Sequence, residues 1–181
     1  MNLLMSLLTI LTYPTKSLKE PSVPVKKVTA EIQTLVHDLF ETMQGTTGIG
    51  LAAPQVGNNI TLFVMDVPMP LPDDAEQTTS RPLCFINPQI VHQLGTTTYE
   101  EGCLSCPDLL VNRERASEID VEALDADGKE FTIHLTGLEA ICAQHEMDHL
   151  KGILLVDHLS RLKRDMYRKQ MVRRRLVNNV P

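Results

Sequence analysis

The sequence predicts an α+β fold, with antiparallel strands packed around one central helix and a further helix near the C-terminus. Three observations indicate this fold. Residues 136–152 have the apolar pattern and the end signals of a buried helix. Short apolar segments bounded by turn residues come before that helix and are typical of strands. Residues 160–177 are highly charged and have helical spacing, which indicates an exposed helix.

The chain is long enough to fold without disulfides. With 181 residues it can bury a sizeable core, and we expect residues 1–181 to form one domain. The net charge of -6 is unevenly distributed, because residues 160–177 hold eight Lys or Arg and one Asp. That segment therefore carries +7 and the remainder of the chain -13. The basic segment, at about residues 160–177, is the predicted C-terminal helix, and Leu159, Leu162 and Met166 are expected to pack it on the body.

The cysteines and the N-terminus indicate a cytoplasmic protein. The four cysteines, Cys84, Cys103, Cys106 and Cys142, could form two disulfides, but some of them lie in or near the candidate site described below, so reduced thiols are expected. The apolar start lacks the basic region and the cleavage site of a signal peptide, and no stretch reaches membrane-spanning length. We expect a folded N-terminus, with Met1 or Met5 as the true start, and no membrane partner.

The first predicted helix covers residues 29–44 and ends at Gly45. The next stretch, GIGLAAPQ at residues 48–55, is either a plain glycine-rich turn or a place where the backbone approaches a ligand closely. It is not a dinucleotide-binding fingerprint, because the GxGxxG pattern fails at Ala53 and a helix comes before it. The apolar face of the predicted helix consists of Ile32, Leu35, Val36, Leu39, Phe40 and Met43.

Strands are predicted at residues 60–67, 82–88, 90–92, 119–124 and 131–135. Residues 125–128, with the sequence DADG, are a hairpin signal between the last two strands. Residues 68–81 are rich in Pro, Asp and Thr, and are predicted to form a surface loop.

The central helix is predicted from its end signals and its apolar content. Thr136 is a suitable N-cap, Glu139 would complete a capping box with it, and Gly152 lies just past the end. Apolar residues surround the helix on most sides, which indicates burial. One stripe at helical spacing contains Leu138, Ile141, Cys142, His145 and His149.

This helix carries the pattern H-E-x-x-H at His145, Glu146 and His149. Positions i and i+4 lie on the same helical face, so both imidazoles can bind one metal ion. Two histidines can also be an ordinary hydrogen-bonded pair. That alternative is weakened by Glu146, because burying an uncompensated carboxylate in an apolar helix costs several kcal/mol, about 3 or more.

A third ligand is needed, and the segment around Cys103 and Cys106 offers thiolates. Cys103 with the two histidines would leave one position open for water, as in catalytic zinc sites. Both cysteines together would give a closed structural site. The long separation from His145 and the lack of a water for Glu146 to act upon argue against that closed site.

Three motifs together resemble those of the peptide deformylase family, of the bacterial type with a C-terminal helix: GIGLAAPQ at residues 48–55, EGCLS at 101–105 and QHEMDHL at 144–150. Their order and spacing also match, and the resemblance runs from about Met5 through the C-terminal helix. It implies a metal-dependent hydrolase that removes the N-formyl group from the formylmethionine of nascent polypeptides and releases formate.

The resemblance also implies roles for individual residues. Cys103, His145 and His149 would bind the metal. Glu146 would be the general base and then the acid, while the Gln55 amide and the Leu104 backbone N–H would stabilise the oxyanion. The implied substrate-binding residues are Gly48, Ile49, Gly50 and Glu101, with Leu138, Ile141 and Cys142 lining a methionine-sized pocket.

The implied cofactor is one divalent metal per chain, with Fe(II) native and zinc, nickel or cobalt able to replace it. The implied partners are N-formylmethionyl peptides and, through the basic C-terminal helix, the ribosome; a monomer is expected. Two features depart from the family pattern. Some bacterial relatives have Arg where this chain has Leu110, and the segment 68–81 looks longer than in compact members.

Two alternatives remain at the level of sequence. A metallopeptidase of the H-E-x-x-H kind is disfavoured because its usual third ligand is His or Glu, whereas EGCLS offers Cys. The second alternative is a non-catalytic zinc-stabilised module whose basic tail binds RNA. Metal removal should unfold such a structural module but leave a catalytic domain largely folded.

Overall fold

The core of the molecule is a five-stranded antiparallel sheet with a helix on each face. The structure is a computed structural model, which describes residues 7–71 and 74–178. The predicted α+β class is confirmed. The helices of the described residues are α1 (Ala30–Gln44), α2 (Gly137–Leu150) and α3 (Arg161–Asn178). The strands are β1 (Gly50–Ala52), β2 (Leu62–Met65), β3 (Met69–Leu71), β4 (Asp74–Thr79), β5 (Leu83–Leu94), β6 (Thr97–Cys103), β7 (Cys106–Arg115), β8 (Glu118–Leu124) and β9 (Glu130–Thr136).

The main sheet has the strand order β1-β2-β5-β8-β9 and is buried on both faces at β2. Because strand side chains alternate, Phe63 and Met65 pack with α2, whereas Leu62 and Val64 pack with α1. Phe63 stacks on Phe85 of β5, with ring centroids 4.7 Å apart. This sandwich of helix, sheet and helix holds α2 at a fixed position.

Helix α2 begins differently from the prediction. Thr136 is the N-cap residue, but its side chain makes no capping hydrogen bond, so the predicted capping box with Glu139 is wrong. Glu139 instead accepts hydrogen bonds from the Arg81 guanidinium, with both of its carboxylate oxygens 2.6 Å from Nη2. A half-exposed Arg thus neutralises a buried carboxylate in the first turn of α2.

Two hairpins occupy segments for which no strand was predicted. Residues 68–81, predicted as a loop, contain β3 and β4, which pair as a two-stranded sheet. Strands β6 and β7 pair over seven and ten residues, with a two-residue turn at Leu104 and Ser105. This second hairpin brings Cys103 to α2. The alternative start at Met5 lies outside the described residues.

Helix α3 packs on the body through a different face from the one expected. Tyr167 and Met171 are buried, and the Tyr167 hydroxyl donates to the Pro107 carbonyl over 2.9 Å. Leu162 and Met166, which spacing suggested as packing residues, are 71% and 62% exposed. No helix among the described residues is long and apolar enough to cross a membrane.

Candidate active site

The metal-binding candidates come together where the β6–β7 hairpin meets α2. Ligand atoms of Cys103, His145 and His149 all lie within 4.8 Å of one another. The Cys103 Sγ is 3.2 Å from the His149 Nε2, and the two imidazole rings are 5.0 Å apart at their centroids. One turn of helix therefore supplies two nitrogen ligands, and the end of β6 supplies a sulfur.

The orientation of His145 is fixed by a buried ion-pair network. Its Nδ1 lies 2.8 Å from Oε2 of Glu101. An ionised carboxylate can only accept a hydrogen bond, so Nδ1 carries the hydrogen and Nε2 of the neutral imidazole has the lone pair. The Arg115 guanidinium donates to both oxygens of Glu101, over 2.7 and 2.9 Å, and to Asp148 over 2.7 Å. The network thereby ties β6 and β7 to α2.

Glu101 is ionised within this network. Burial opposes ionisation, but hydrogen bonds from Arg115 and His145 outweigh it and lower the pKa of Glu101 to about 2. The resemblance implied that Glu101 binds substrate. The residue lines the cleft, so that role stays a prediction, and its carboxylate, which is paired with Arg115 and His145, also positions a candidate ligand.

Glu146 lies beside the candidate ligands without being one of them. Its side chain is 4% exposed, and burial raises its pKa to about 7. Within the part of the chain that the structure describes, its Oε2 has no hydrogen-bond partner. A Cβ atom on Gly50 would lie 2.5 Å from Oε1 of Glu146, so this position of β1 requires glycine for close approach.

Gln55 is held by both ends of its amide. Its Oε1 accepts from the Ala52 backbone N–H over 2.8 Å, and its Nε2 donates to the Ser105 hydroxyl over 3.1 Å. The same nitrogen lies 3.7 Å from the Cys103 Sγ. Ser105 is therefore a supporting residue that sequence reasoning missed, since its role depends on a contact with Gln55, 50 positions away.

A cleft of about 700 Å³ opens beside this site. All the predicted site residues line it except His149, which is buried beneath the others. Apolar residues of α2 form one wall, and the β1 backbone with the β6–β7 hairpin forms the other. Lining residues that were not predicted include Thr47, Tyr99, Glu100, Pro107 and Asp108. Leu110, where some bacterial relatives have Arg, is 62% exposed, and its Cδ2 lies 3.3 Å from the place that a Cβ on Gly102 would occupy.

The chain is similar to known proteins over most of its length. The family model described as polypeptide deformylase matches residues 7–165. A peptide deformylase from Psychrobacter cryohalolentis is 48% identical over 170 residues, which cover 91% of this chain and 88% of that protein.

Solved structures give the same result. A peptide deformylase from Legionella pneumophila has a TM-score of 0.83 and 40% identity, and the match covers 97% of this chain and 100% of that one. A peptide deformylase from Ehrlichia chaffeensis in complex with actinonin has a TM-score of 0.85 and 39% identity, covering 93% and 98% of the two chains. The metallopeptidase and zinc-module alternatives gain no support.

Replacing Glu101 should destabilise the fold in a pH-dependent way. Because its folded-state pKa of about 2 lies below the ordinary value, its contribution is present at neutral pH and is lost as pH falls from about 4.5 toward 2. We expect Glu101→Gln to lower the free energy of unfolding of the metal-free protein by about 3 kcal/mol at pH 7 and by about 1 kcal/mol near pH 3.

Urea denaturation at several pH values measures this difference. Glu100→Gln is the matched control, because Glu100 is the neighbouring residue on the exposed face of β6 and should change stability little. A Glu101→Gln effect that stays constant between pH 7 and pH 3 would contradict the assignment of an ionised, ion-paired Glu101.

Proposed function

The chain belongs to the peptide deformylase family, the metal-dependent hydrolases that remove the N-formyl group from nascent polypeptides, and we propose how its own residues divide that work. The proposal is based on the position of Cys103, His145 and His149, whose ligand atoms come together beside Glu146. Among the described residues, the buried Oε2 of Glu146 has no hydrogen-bond partner.

We propose that Cys103, His145 and His149 hold the metal. The donor set suits a divalent transition metal, since one thiolate and two imidazoles leave a coordination position open. The hydrogen bond from His145 Nδ1 to Glu101 leaves Nε2 for the metal. When bound, the metal would act as a Lewis acid on the formyl carbonyl and lower the pKa of a bound water from about 15.7 toward about 7.

Glu146 would move the proton. Burial raises the pKa of the Glu146 carboxylate and so makes it a stronger base, which suits it to take a proton from the attacking water and to return it to the leaving amine. Its unpartnered Oε2 is the acceptor we assign to that step. Burial in α2 keeps bulk water from competing for the proton.

Gln55 and the Leu104 backbone N–H would stabilise the negative charge that develops on the formyl oxygen. The Gln55 amide is held with its Nε2 toward Cys103, so this donor is oriented before the substrate arrives. Leu104 follows Cys103 in the hairpin turn. Each oriented donor of this kind typically contributes about 3 kcal/mol to the transition state.

The remaining cleft residues would bind the peptide. We assign the methionine side chain to the apolar wall of Leu138, Ile141 and Cys142 on α2. Gly48, Ile49 and Gly50 line the cleft, and their backbone would lie along the peptide chain.

Removing the carboxylate of Glu146 should separate catalysis from metal binding. We expect Glu146→Ala to lower kcat for a formyl-Met peptide by about 100-fold or more while metal content stays near that of the wild type, because Glu146 moves the proton and is not a ligand. Formate release and elemental analysis on one preparation measure both quantities.

Paired variants test the ligand assignment in the same assay. Cys103→Ser should weaken metal binding, whereas Cys106→Ser should change neither metal content nor activity. For Glu146→Ala the matched control is Glu114→Ala, because Glu114 is an exposed glutamate outside the site. Parallel loss of metal and activity in Glu146→Ala would refute its role. An essential Cys106 would refute the ligand set.

We propose Fe(II) as the native metal. The ligand types suit iron, zinc, nickel and cobalt alike, so the family resemblance is what supports iron. Protein purified without oxygen should then release formate faster than the aerobic or zinc-loaded protein, because oxygen converts Fe(II) to a less active state. Equal kcat/KM for the iron and zinc forms, each with one metal per chain, would count against this proposal.

We also propose that α3 docks on the ribosome. Of its eight basic residues, Arg164 and Arg175 bind body carbonyls and Arg174 pairs with Asp108, whereas Arg168, Lys169 and Arg173 are exposed. Arginine and lysine bind phosphate, the main charge of the ribosomal surface. Deleting α3 is a poor test, because Tyr167 and Met171 would be lost from the core.

Substituting the exposed cations tests docking without that loss. We expect the triple variant Arg168→Gln, Lys169→Gln, Arg173→Gln to co-sediment less with ribosomes and to show a shallower salt dependence, while kcat/KM on a short free formyl peptide is unchanged. The control is Lys26→Gln, Lys27→Gln, Lys129→Gln, which removes the same charge elsewhere on the surface. Equal loss of ribosome binding in both triple variants would reject docking through α3.

A further inference from the structure

Two cysteines face each other at the tight end of the β6–β7 hairpin. Cys103 and Cys106 are cross-strand partners separated by the two-residue turn. Directly opposed residues in antiparallel strands have Cα atoms about 4.5–5.5 Å apart and side chains on the same face. A disulfide needs Cα atoms about 4.4–6.8 Å apart.

The two thiols differ in their access to solvent and therefore in how easily an oxidant can reach them. Cys103 lines the cleft, so a small reagent can reach its sulfur. Cys106 is fully buried in the cluster that contains Leu18, Leu154 and Val156, and no step of the proposed mechanism uses it. A reachable thiol beside a protected one is the arrangement in which the second thiol can react with the oxidised first.

We propose that Cys103 and Cys106 form a reversible disulfide when a peroxide enters the cleft. In the first step the peroxide O–O bond breaks, and one oxygen bonds to Cys103 sulfur as a sulfenic acid while the other leaves as water. In the second step the Cys106 sulfur attacks the Cys103 sulfur, the S–O bond breaks, and a second water leaves. The two thiols lose two electrons, which reduce the peroxide.

The disulfide would switch the site off and protect it. This consequence depends on the proposed role of Cys103, because a sulfur in a disulfide is no longer a thiolate ligand. The metal would then be released. Cys106 would also stop Cys103 from being oxidised further to the sulfinic and sulfonic acids, of which the sulfonic acid is irreversible. A thiol reductant would restore the dithiol and hence metal binding.

The test uses the zinc-loaded full chain, because zinc itself has no redox chemistry. After treatment with hydrogen peroxide, the free thiols counted in denaturant should fall from four to two per chain, with release of zinc. Cleavage after glutamate gives the fragment of residues 102–114, which contains Cys103 and Cys106 and neither of the other cysteines. That fragment should resist alkylation and be lighter by about 2 Da, the mass of two hydrogens.

Matched variants separate the disulfide from other outcomes. Cys84→Ser should behave like the wild type and end with one thiol fewer before and after peroxide. Cys106→Ser should still release zinc, but a thiol reductant should fail to restore zinc binding because Cys103 is oxidised beyond the sulfenic acid. The same reductant should restore it in the wild type.

Fragment mapping on the wild type decides the proposal even if a variant folds poorly. A 102–114 fragment in which both cysteines remain alkylatable, or in which Cys103 carries added oxygens while Cys106 is alkylated, would overturn it. Failure of the ligand assignment gives a different result, since Cys103→Ser would then bind zinc as well as the wild type does in reducing buffer.

Discussion

The buried ion pair between Arg115 and Glu101 is the interaction on which the rest of the site depends. It joins the two strands of the β6–β7 hairpin and reaches α2 through Asp148 and His145. A buried pair of this kind adds little stability compared with apolar packing, but loss of one partner is costly because the other charge is left uncompensated. The network therefore enforces one relative position of the hairpin and the helix.

That relative position must be accurate because the candidate ligands come from separate elements. The helix alone sets the spacing between His145 and His149, whereas the hairpin sets where the Cys103 sulfur lies. Packing of α2 on Phe63, Met65 and Phe85 restrains the helix against the sheet. Apolar packing thus fixes the helix, and the ion pairs fix the hairpin against it, so each part of the site has its own restraint.

The sequence predicted those parts of the fold whose signals are local. The helix with H-E-x-x-H, the helix at residues 30–44 and strands β2, β5, β8 and β9 of the main sheet were predicted from their apolar patterns, whereas the short strand β1 was not predicted. The β6–β7 hairpin was missed because β6 is mostly polar and the short apolar run at residues 109–111 of β7 lies among charged residues. Its strands are held instead by pairing with each other and by Arg115, and neither leaves a pattern in the sequence.

Two local interpretations failed because a distant partner was stronger. Glu139 had the spacing of a capping box, but Arg81, 58 positions away, offers a charge-assisted contact that a neutral cap cannot match. The packing face of α3 depends on contacts with Tyr13 and Pro107, which helical spacing alone cannot reveal. Similarly, the motifs indicated which residues form the site, whereas the roles of Glu101 and Ser105 depend on tertiary contacts.

The four residues from Cys103 to Cys106 combine catalysis and packing in one turn. Cys103 is a candidate ligand, Leu104 offers its backbone N–H, and Ser105 holds the Gln55 amide. Cys106 then enters the apolar cluster shared with Tyr167 and Met171 of α3. Because so short a turn cannot shift one residue without its neighbours, packing of the whole turn against this cluster helps to hold the Cys103 sulfur in place. The C-terminal helix covers that cluster, so its contribution to the site is structural and independent of any partner that its exposed face binds.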